Sequence, residues 1–546
     1  MSHKYWLIII LVLAFTVRLA GINYGLPLWL IGDEPPFTTA ALKMIELKTV
    51  FPALHAEEFK PTLYFLPYLS YLYLLPFVTL LGANYLFFAG NLDQFKNYIV
   101  SDLSQFFILA RFINIILGTI TVWLIYKIAK NIFKNEWAAL LSAFFMSTSI
   151  LHTYLSFVAR DWVPATFLFT LGIYLLSNPS LSFNQRYLSA SLVAGLAFGV
   201  SLIAPFLMLF ILYWYLFYEH HSLRDVFKEK TLYAALIIFI TLSAIAILLY
   251  PFGFHLSSDN TIVREKSLFG FFNSIFAFLK PIFISEPILA LSAIAGIAFS
   301  YNRIRIFFWT AILFITSYAS IFYLIYFYNQ RYTIYLFPIL SLLAGYGFWE
   351  SYTSTNRKIL KIIIASLILI PLVTILRFDW LVLKNDSRMQ SRQWIETNLP
   401  EQSRILAYAE LTRLASTENA IKEQKSIDAT SLRKVDLAEM SFPKNPRGYA
   451  SFHALNLYSV NNKEFYQDVE SYAARNNYRY LLIDKSYAKQ NNLPTLVHIA
   501  EKGNITGTFG STRGAYLLRD GTFGSPINLW KLNNLGPQIE IYEITP

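Results

Sequence analysis

Two adjacent carboxylates, Asp33 and Glu34 in the stretch LIGDEPPFTT, lie a few residues after an apolar run suited to a bilayer. Residues that could act with them recur along the chain. The same segment holds His55, Glu57, Glu58 and Lys60; Arg111 follows, then Arg160 and Asp161 in SFVARDW, then Arg331 and Tyr332 in NQRYTIYLFP. Acids interleaved with cations suit group transfer from a lipid-linked phosphate. The cations would hold the departing phosphate, and a nearby carboxylate would take the proton from an acceptor hydroxyl as it attacks.

Each residue also has a plainer reading. Asp33 and Glu34 can cap the amphipathic helix suggested by PPFTTAALKMIEL, which has proline in its first turn. Arg111, Arg160 and Arg331 can snorkel or pair with a neighbouring acid. An ionisable residue costs about 2.5 to 3.5 kcal/mol at a membrane-helix centre and less at the interface. Recurrence of both signs on one expected side favours function over accident. Charge pattern fits an ion-coupled transporter equally well, although such a chain should carry an inverted repeat and midplane charges in broken helices, and neither is seen. A non-catalytic scaffold would keep the fold and tolerate loss of Asp33.

The elements that must position these residues are membrane helices. Of 546 residues, 55% are hydrophobic and 14% charged, and mean hydropathy is +0.44. Long apolar runs recur through the first two thirds, as in a polytopic α-helical membrane protein. The first run, YWLIIILVLAFTVRLAGI, lacks a small-residue cleavage site and reads as a retained span. A net charge of +11 calls for no nucleic acid, because basic loops facing an anionic leaflet supply it. The absence of cysteine excludes disulfides, thiolate nucleophiles and Cys-ligated metals.

Hydropathy and loop charge give about eleven spans: 5–22, 106–126, 137–155, 162–177, a short pair at 187–201 and 203–218, 232–250, 281–300, 304–326, 332–350 and 358–377. The short pair could instead be one tilted helix. Residues 61–81 carry Pro61, Pro67 and Pro76 and many tyrosines, and are read as a juxtamembrane or re-entrant element. The expected N-terminus is cytoplasmic; the loop 22–60 and everything after the last span are extracytoplasmic. Residues 1–379 form the membrane domain. Residues 380–546 read as one soluble α/β domain, with a helix at DSRMQSRQWIETNL and strands at RILAYAE, YRYLLIDKSY and QIEIYEI.

The order of GDE, FKPTLYFLPYL, ARFINIILGTITVWLIYKIAK, LHTYLSFVARDWVPATFLFTLGIYLL and NQRYTIYLFPILSLLAGYG resembles GT-C membrane glycosyltransferases. The nearest likeness is to the dolichyl-phosphate-mannose protein mannosyltransferase and aminoarabinose lipid A transferase families. The resemblance implies a polyprenyl-phosphate-linked sugar donor, a glycan, lipid or protein acceptor, inversion at the anomeric carbon, and a site facing away from the cytoplasm of a plasma membrane. It places the general base at Asp33, with Glu34 beside it and Asp161 as a second, orienting acid. Donor-phosphate contacts fall on Lys60, Arg111 and Arg331, with Arg160 and Tyr332 supporting. The element after Lys60 departs from the family's paired prolines, reading KPT, and no sugar-binding trefoil is recognisable in the tail. No cofactor is expected. His55 with the HAEEF acids is more naturally solvated than a divalent-metal site, and His152 and His255 read as structural.

Overall fold

The computed structural model describes residues 2–31, 34–60, 62–88, 90–202, 205–219, 221–252, 268–325, 329–432, 450–511 and 524–544. The membrane part opens with α1 (His3–Leu19), α2 (Pro35–Glu46), α3 (Ala56–Phe59), α4 (Tyr68–Phe87), α5 (Leu92–Ser101) and α6 (Ser104–Phe133). It continues with α7 (Glu136–Ser147), α8 (Ile150–Ser156), α9 (Trp162–Ser177), α10 (Phe183–Val200), α11 (Phe206–Tyr213), α12 (Leu223–Val226) and α13 (Lys230–Leu249). It closes with α14 (Leu268–Ser285), α15 (Pro287–Arg303), α16 (Arg305–Ile325), α17 (Phe337–Ser354), α18 (Lys358–Ser366) and α19 (Leu369–Leu383).

Fewer than eleven single helices of spanning length stand among the described residues, beside several shorter apolar ones. Among the described residues, five helical stretches are long and apolar enough to cross a membrane: Tyr68–Phe87, Ser104–Phe133, Lys230–Leu249, Gln330–Ser354 and Lys358–Asn398. A sixth is the pair α7 and α8, bent by 60°. The break falls at Ser149, whose side chain caps α8 by accepting from the His152 N–H. In the stretch expected to be juxtamembrane or re-entrant, residues 68–81 belong to α4, a continuous 20-residue helix long and apolar enough to cross. Pro67 sits at its N-cap, where the missing N–H matters little, and Pro76 is tolerated inside the helix. The short pair folds as two helices, α10 and α11, the second running on into a π-helical turn at Trp214–Tyr218.

Close helix packing at the centre depends on small residues. The hypothetical Cβ of Gly347 would stand 2.2 Å from the Gly296 nitrogen and the Ser292 carbonyl oxygen, so α15 and α17 touch through backbone. Gly345 meets α7 in the same way, its Cβ position 2.2 Å from the Ser142 nitrogen.

The tail begins with α20 (Ser387–Asn398) and carries a mixed sheet in the order β2-β1-β3-β5-β4. Its strands are β1 (Arg404–Tyr408), β2 (His453–Asn456), β3 (Tyr480–Ile483), β4 (Asn504–Phe509) and β5 (Ile539–Glu543). β1 is parallel to β2 and β3, whereas β5 is antiparallel to β3 and β4. The expected helix and the strands at RILAYAE, YRYLLIDKSY and QIEIYEI are all present. At one end of the sheet, Glu423 accepts hydrogen bonds from Tyr472 (2.6 Å), Tyr478 (2.7 Å) and Arg404 (3.1 Å), and its Oε2 lies 2.6 Å from His453 Nε2. Burial alone would raise this carboxyl, but these partners prevail and hold it below the ordinary glutamate value.

Two outcomes follow. Gly347→Ala should lower the thermal unfolding temperature of the purified protein, at a cost of about 1 to 3 kcal/mol for forcing α15 and α17 apart. Because the folded Glu423 pKa is depressed, its contribution is complete above the unfolded glutamate value and is lost as pH falls through the folded one. Hydrogen exchange should therefore loosen the 404–408 and 453–456 strands on acidification below about pH 4.5, less so in Glu423→Gln.

Candidate active site

The deepest charged contact joins three segments distant in sequence. Arg111, one third along α6, donates from Nε to Glu34 Oε1 and from Nη2 to Oε2, both at 2.6 Å. Neither side chain is exposed. The remaining Nη1 donates to the carbonyls of Ile22 (2.8 Å) and Tyr24 (2.9 Å), and the Ala159 N–H donates to Glu34 Oε1 at 2.7 Å. The loop between α1 and α2, helix α6 and the turn before α9 are thus fastened by one bidentate pair. Arg111 was expected to contact phosphate; in this structure its guanidinium is committed to Glu34 and two carbonyls. Asp33 lies outside the described residues.

Asn114, one turn further along α6, holds the same turn. Its amide donates to the carbonyls of Val158 (2.6 Å) and Arg160 (3.0 Å), and its oxygen accepts from the Tyr73 hydroxyl of α4 at 3.1 Å. The sequence signal for Asn114 is a lone amide in the apolar run FINIIL.

The turn so fixed presents Arg160 and Asp161, both nearly buried, with Arg160 Nε 3.9 Å from Asp161 Oδ1. From much later in the chain, the 3-10 turn Gln330–Leu336 brings Arg331 to the same place. The guanidinium carbons of Arg160 and Arg331 each lie 5.5 Å from the centre of the Trp162 ring, within cation–π range. Tyr332 stacks edge-on against Trp162 at 5.0 Å, and Phe65 approaches Arg160 at 5.9 Å. Burial pushes the Asp161 carboxyl above its ordinary value, opposed by Arg160, the Ser201 hydroxyl and Arg331. Trp162, Phe65 and Ser201 carry no charge pattern that would have singled them out.

Supporting contacts lie behind this cluster. Glu286, at the start of α15, accepts from Ser149 Oγ (2.8 Å) and the Leu151 N–H (3.2 Å), which secures the N-terminus of α8. Its neighbour Ser285 accepts from Gln330 Nε2 at 3.0 Å, tying the Arg331 turn to the same corner. His152 is buried against Arg18, its Nδ1 2.7 Å from Nη2.

Lys60 stands apart, exposed at the end of α3 with Nζ 4.0 Å from Glu57. His55 is 3.9 Å from Glu58 on the same short helix. Among the described residues no group of three His, Cys, Asp or Glu is placed to hold a metal. His255 is outside them.

Replacing Arg111 by methionine should strand a buried carboxylate and cost about 3 to 5 kcal/mol. Thermal melts of Arg111→Met, Glu34→Gln and the double variant check this; the double variant should melt above Arg111→Met alone.

No curated protein matches the chain. Solved structures align over most of its length at low identity. An oligosaccharyltransferase of Archaeoglobus fulgidus in complex with zinc and sulfate shows 13% identity, 92% coverage of this chain and 72% of its own, with a TM-score of 0.47. ArnT of Cupriavidus metallidurans bound to undecaprenyl phosphate shows 10% identity, 100% and 99% coverage and a TM-score of 0.45. Residues 99–248, which include Arg111, Arg160 and Asp161, match the profile of the family described as dolichyl-phosphate-mannose-protein mannosyltransferase. Through that segment the chain resembles the GT-C membrane glycosyltransferases.

Proposed function

We propose that this chain is a multi-pass membrane glycosyltransferase that moves a sugar from a polyprenyl-phosphate carrier to an acceptor hydroxyl, with inversion. The observation that carries the reading is the meeting of Arg160, Asp161 and Arg331 around Trp162, with Arg160, Asp161 and Trp162 inside the segment that matches the dolichyl-phosphate-mannose-protein mannosyltransferase family and Arg331 beyond it. Guanidiniums in a partly desolvated, aromatic-walled setting favour the extra negative charge of a leaving polyprenyl phosphate more than they would in water. Arg331 and Arg160 take that role, joined by Lys60 from the exposed end of α3. Arg111 is a positioning residue, because its donors are occupied by Glu34 and the loop carbonyls.

Asp33 is the proposed base. The acceptor oxygen attacks the anomeric carbon, its proton passes to the Asp33 carboxylate, and the bond from the anomeric carbon to the phosphate oxygen breaks with its electron pair leaving on phosphate. A single displacement of this kind inverts the centre. Asp161 orients, with Arg160 and Arg331 balancing its charge, and Tyr332 packs the ring wall; the displacement as written requires no cofactor. The site and the tail face away from the cytoplasm across a plasma membrane. The acceptor is a glycan, a lipid or a protein.

Purified protein incubated with a panel of polyprenyl-phosphate sugars should release or transfer one of them. Asp33→Asn should slow turnover by about 10²- to 10⁴-fold with the protein still folded. Lys60→Ala and Arg331→Ala should each weaken use of the donor by about tenfold or more, as expected on losing a charge-assisted hydrogen bond. Failure to bind or turn over any donor would return the chain to secondary transport or scaffolding.

A further inference from the structure

The tail touches the membrane domain at a second place, through residues 526–535. Leu529, Leu532 and Leu535 are buried in the same apolar cluster as the helical bundle. Ile527, just before them, and Trp530, between the first two, are 68% and 56% exposed. They lie beside α19, whose Leu369, Val373, Leu376, Trp380 and Leu383 form an exposed row at helical spacing. Only 11% of the most apolar window of the Lys358–Asn398 stretch is buried within the chain. That row is a lipid-facing stripe on a membrane helix, and Trp380 stands near its end.

Cations cluster at this end. The Arg377 guanidinium lies 4.3 Å from the Trp380 ring and 5.4 Å from the Trp530 ring, and Lys384 Nζ lies 3.5 Å from Trp380. Arg377 also donates to the carbonyls of Leu529 (3.2 Å) and Leu532 (2.5 Å), and Lys384 to that of Asn533 (3.1 Å). Thus Arg377, within the last two turns of α19, and Lys384, at its C-cap, hold the 526–535 segment beside the final turns of the apolar stripe. Exposed indole rings beside basic groups match the boundary between hydrocarbon and phosphate headgroups, where rings sit in the glycerol region and cations meet phosphate.

We propose that Ile527 and Trp530 form a lipid anchor by which the C-terminal domain inserts into the headgroup layer of its own membrane, with Arg377 and Lys384 facing lipid phosphate. The occupant is the bilayer itself, continuous with the lipid-facing surface of α19. The anchor does not depend on the glycosyltransferase reading.

The chain has no cysteine, so single labels can be placed without background. Ile527→Cys, Trp530→Cys, Val373→Cys on the α19 stripe and Lys463→Cys on the exposed tail are each labelled with an environment-sensitive fluorophore. The full-length protein is then placed in bilayers of phosphatidylcholine and phosphatidylglycerol carrying a nitroxide either near the glycerol or near the chain end. Labels at 527 and 530 should emit at shorter wavelength than at 463 and lose more emission to the shallow nitroxide than to the deep one; 373 should be quenched more by the deep one. Emission at 527 and 530 that matches 463, or deep quenching that matches 373, would overturn the proposal. All four positions are exposed, so the substitutions should leave the fold intact.

Discussion

The rest of the site depends on the buried ion pair between Glu34 and Arg111. A carboxylate and a guanidinium removed from water are tolerable only when nearly all their donors and acceptors are matched. Here the geometry is bidentate, and the spare donors and acceptors reach Ile22, Tyr24 and Ala159. Ile22 and Tyr24 lie in the first loop and Ala159 in the turn before α9, and so the pair sets the relative position of that loop, α6 and the turn that carries Arg160 and Asp161. Buried unpaired, either residue would be costly, which makes the arrangement nearly all-or-none.

The second constraint is the use of broken helices. The bend between α7 and α8 turns the chain so that the segment after α8 can run back toward α6, and Ser149 with Glu286 satisfies the donors that the break exposes. Gln330 reaches Ser285 beside Glu286, so the Arg160 turn and the Arg331 turn are set from one corner. Two cations 171 residues apart in sequence can therefore share one aromatic ring.

Much of this organisation could be read from the sequence, and the exceptions have physical causes. Apolar runs announce membrane helices, and alternating apolar residues announce β1, β3 and β5, because each pattern follows a single local period. Spans counted from hydropathy merge what capping divides: Ser149 is an ordinary serine until its oxygen meets the His152 N–H. Pro76 reads as a breaker, yet a long apolar helix absorbs the loss of one donor. Arg160, Asp161 and Arg331 stand out in the sequence as charges beside apolar runs, but their meeting around Trp162 is a property of tertiary packing. The bidentate grip of Arg111 on Glu34 is likewise a property of packing, since residue type alone does not say which carboxylate a guanidinium will meet.

Tyr24 sits where the two halves of the molecule are tied together. Its carbonyl accepts from Arg111, while its hydroxyl donates to Asp386 at 2.6 Å; Asp386 in turn is gripped by Arg388 at the head of α20. A single residue thus spans from the ion pair to the first turn of the tail. A rotation of the tail would pull on the loop that carries the acids, and the load would arrive within one side chain's length of Arg111. The tail is in this sense a handle on the loop, and severing it would leave a buried tyrosine hydroxyl without its acceptor.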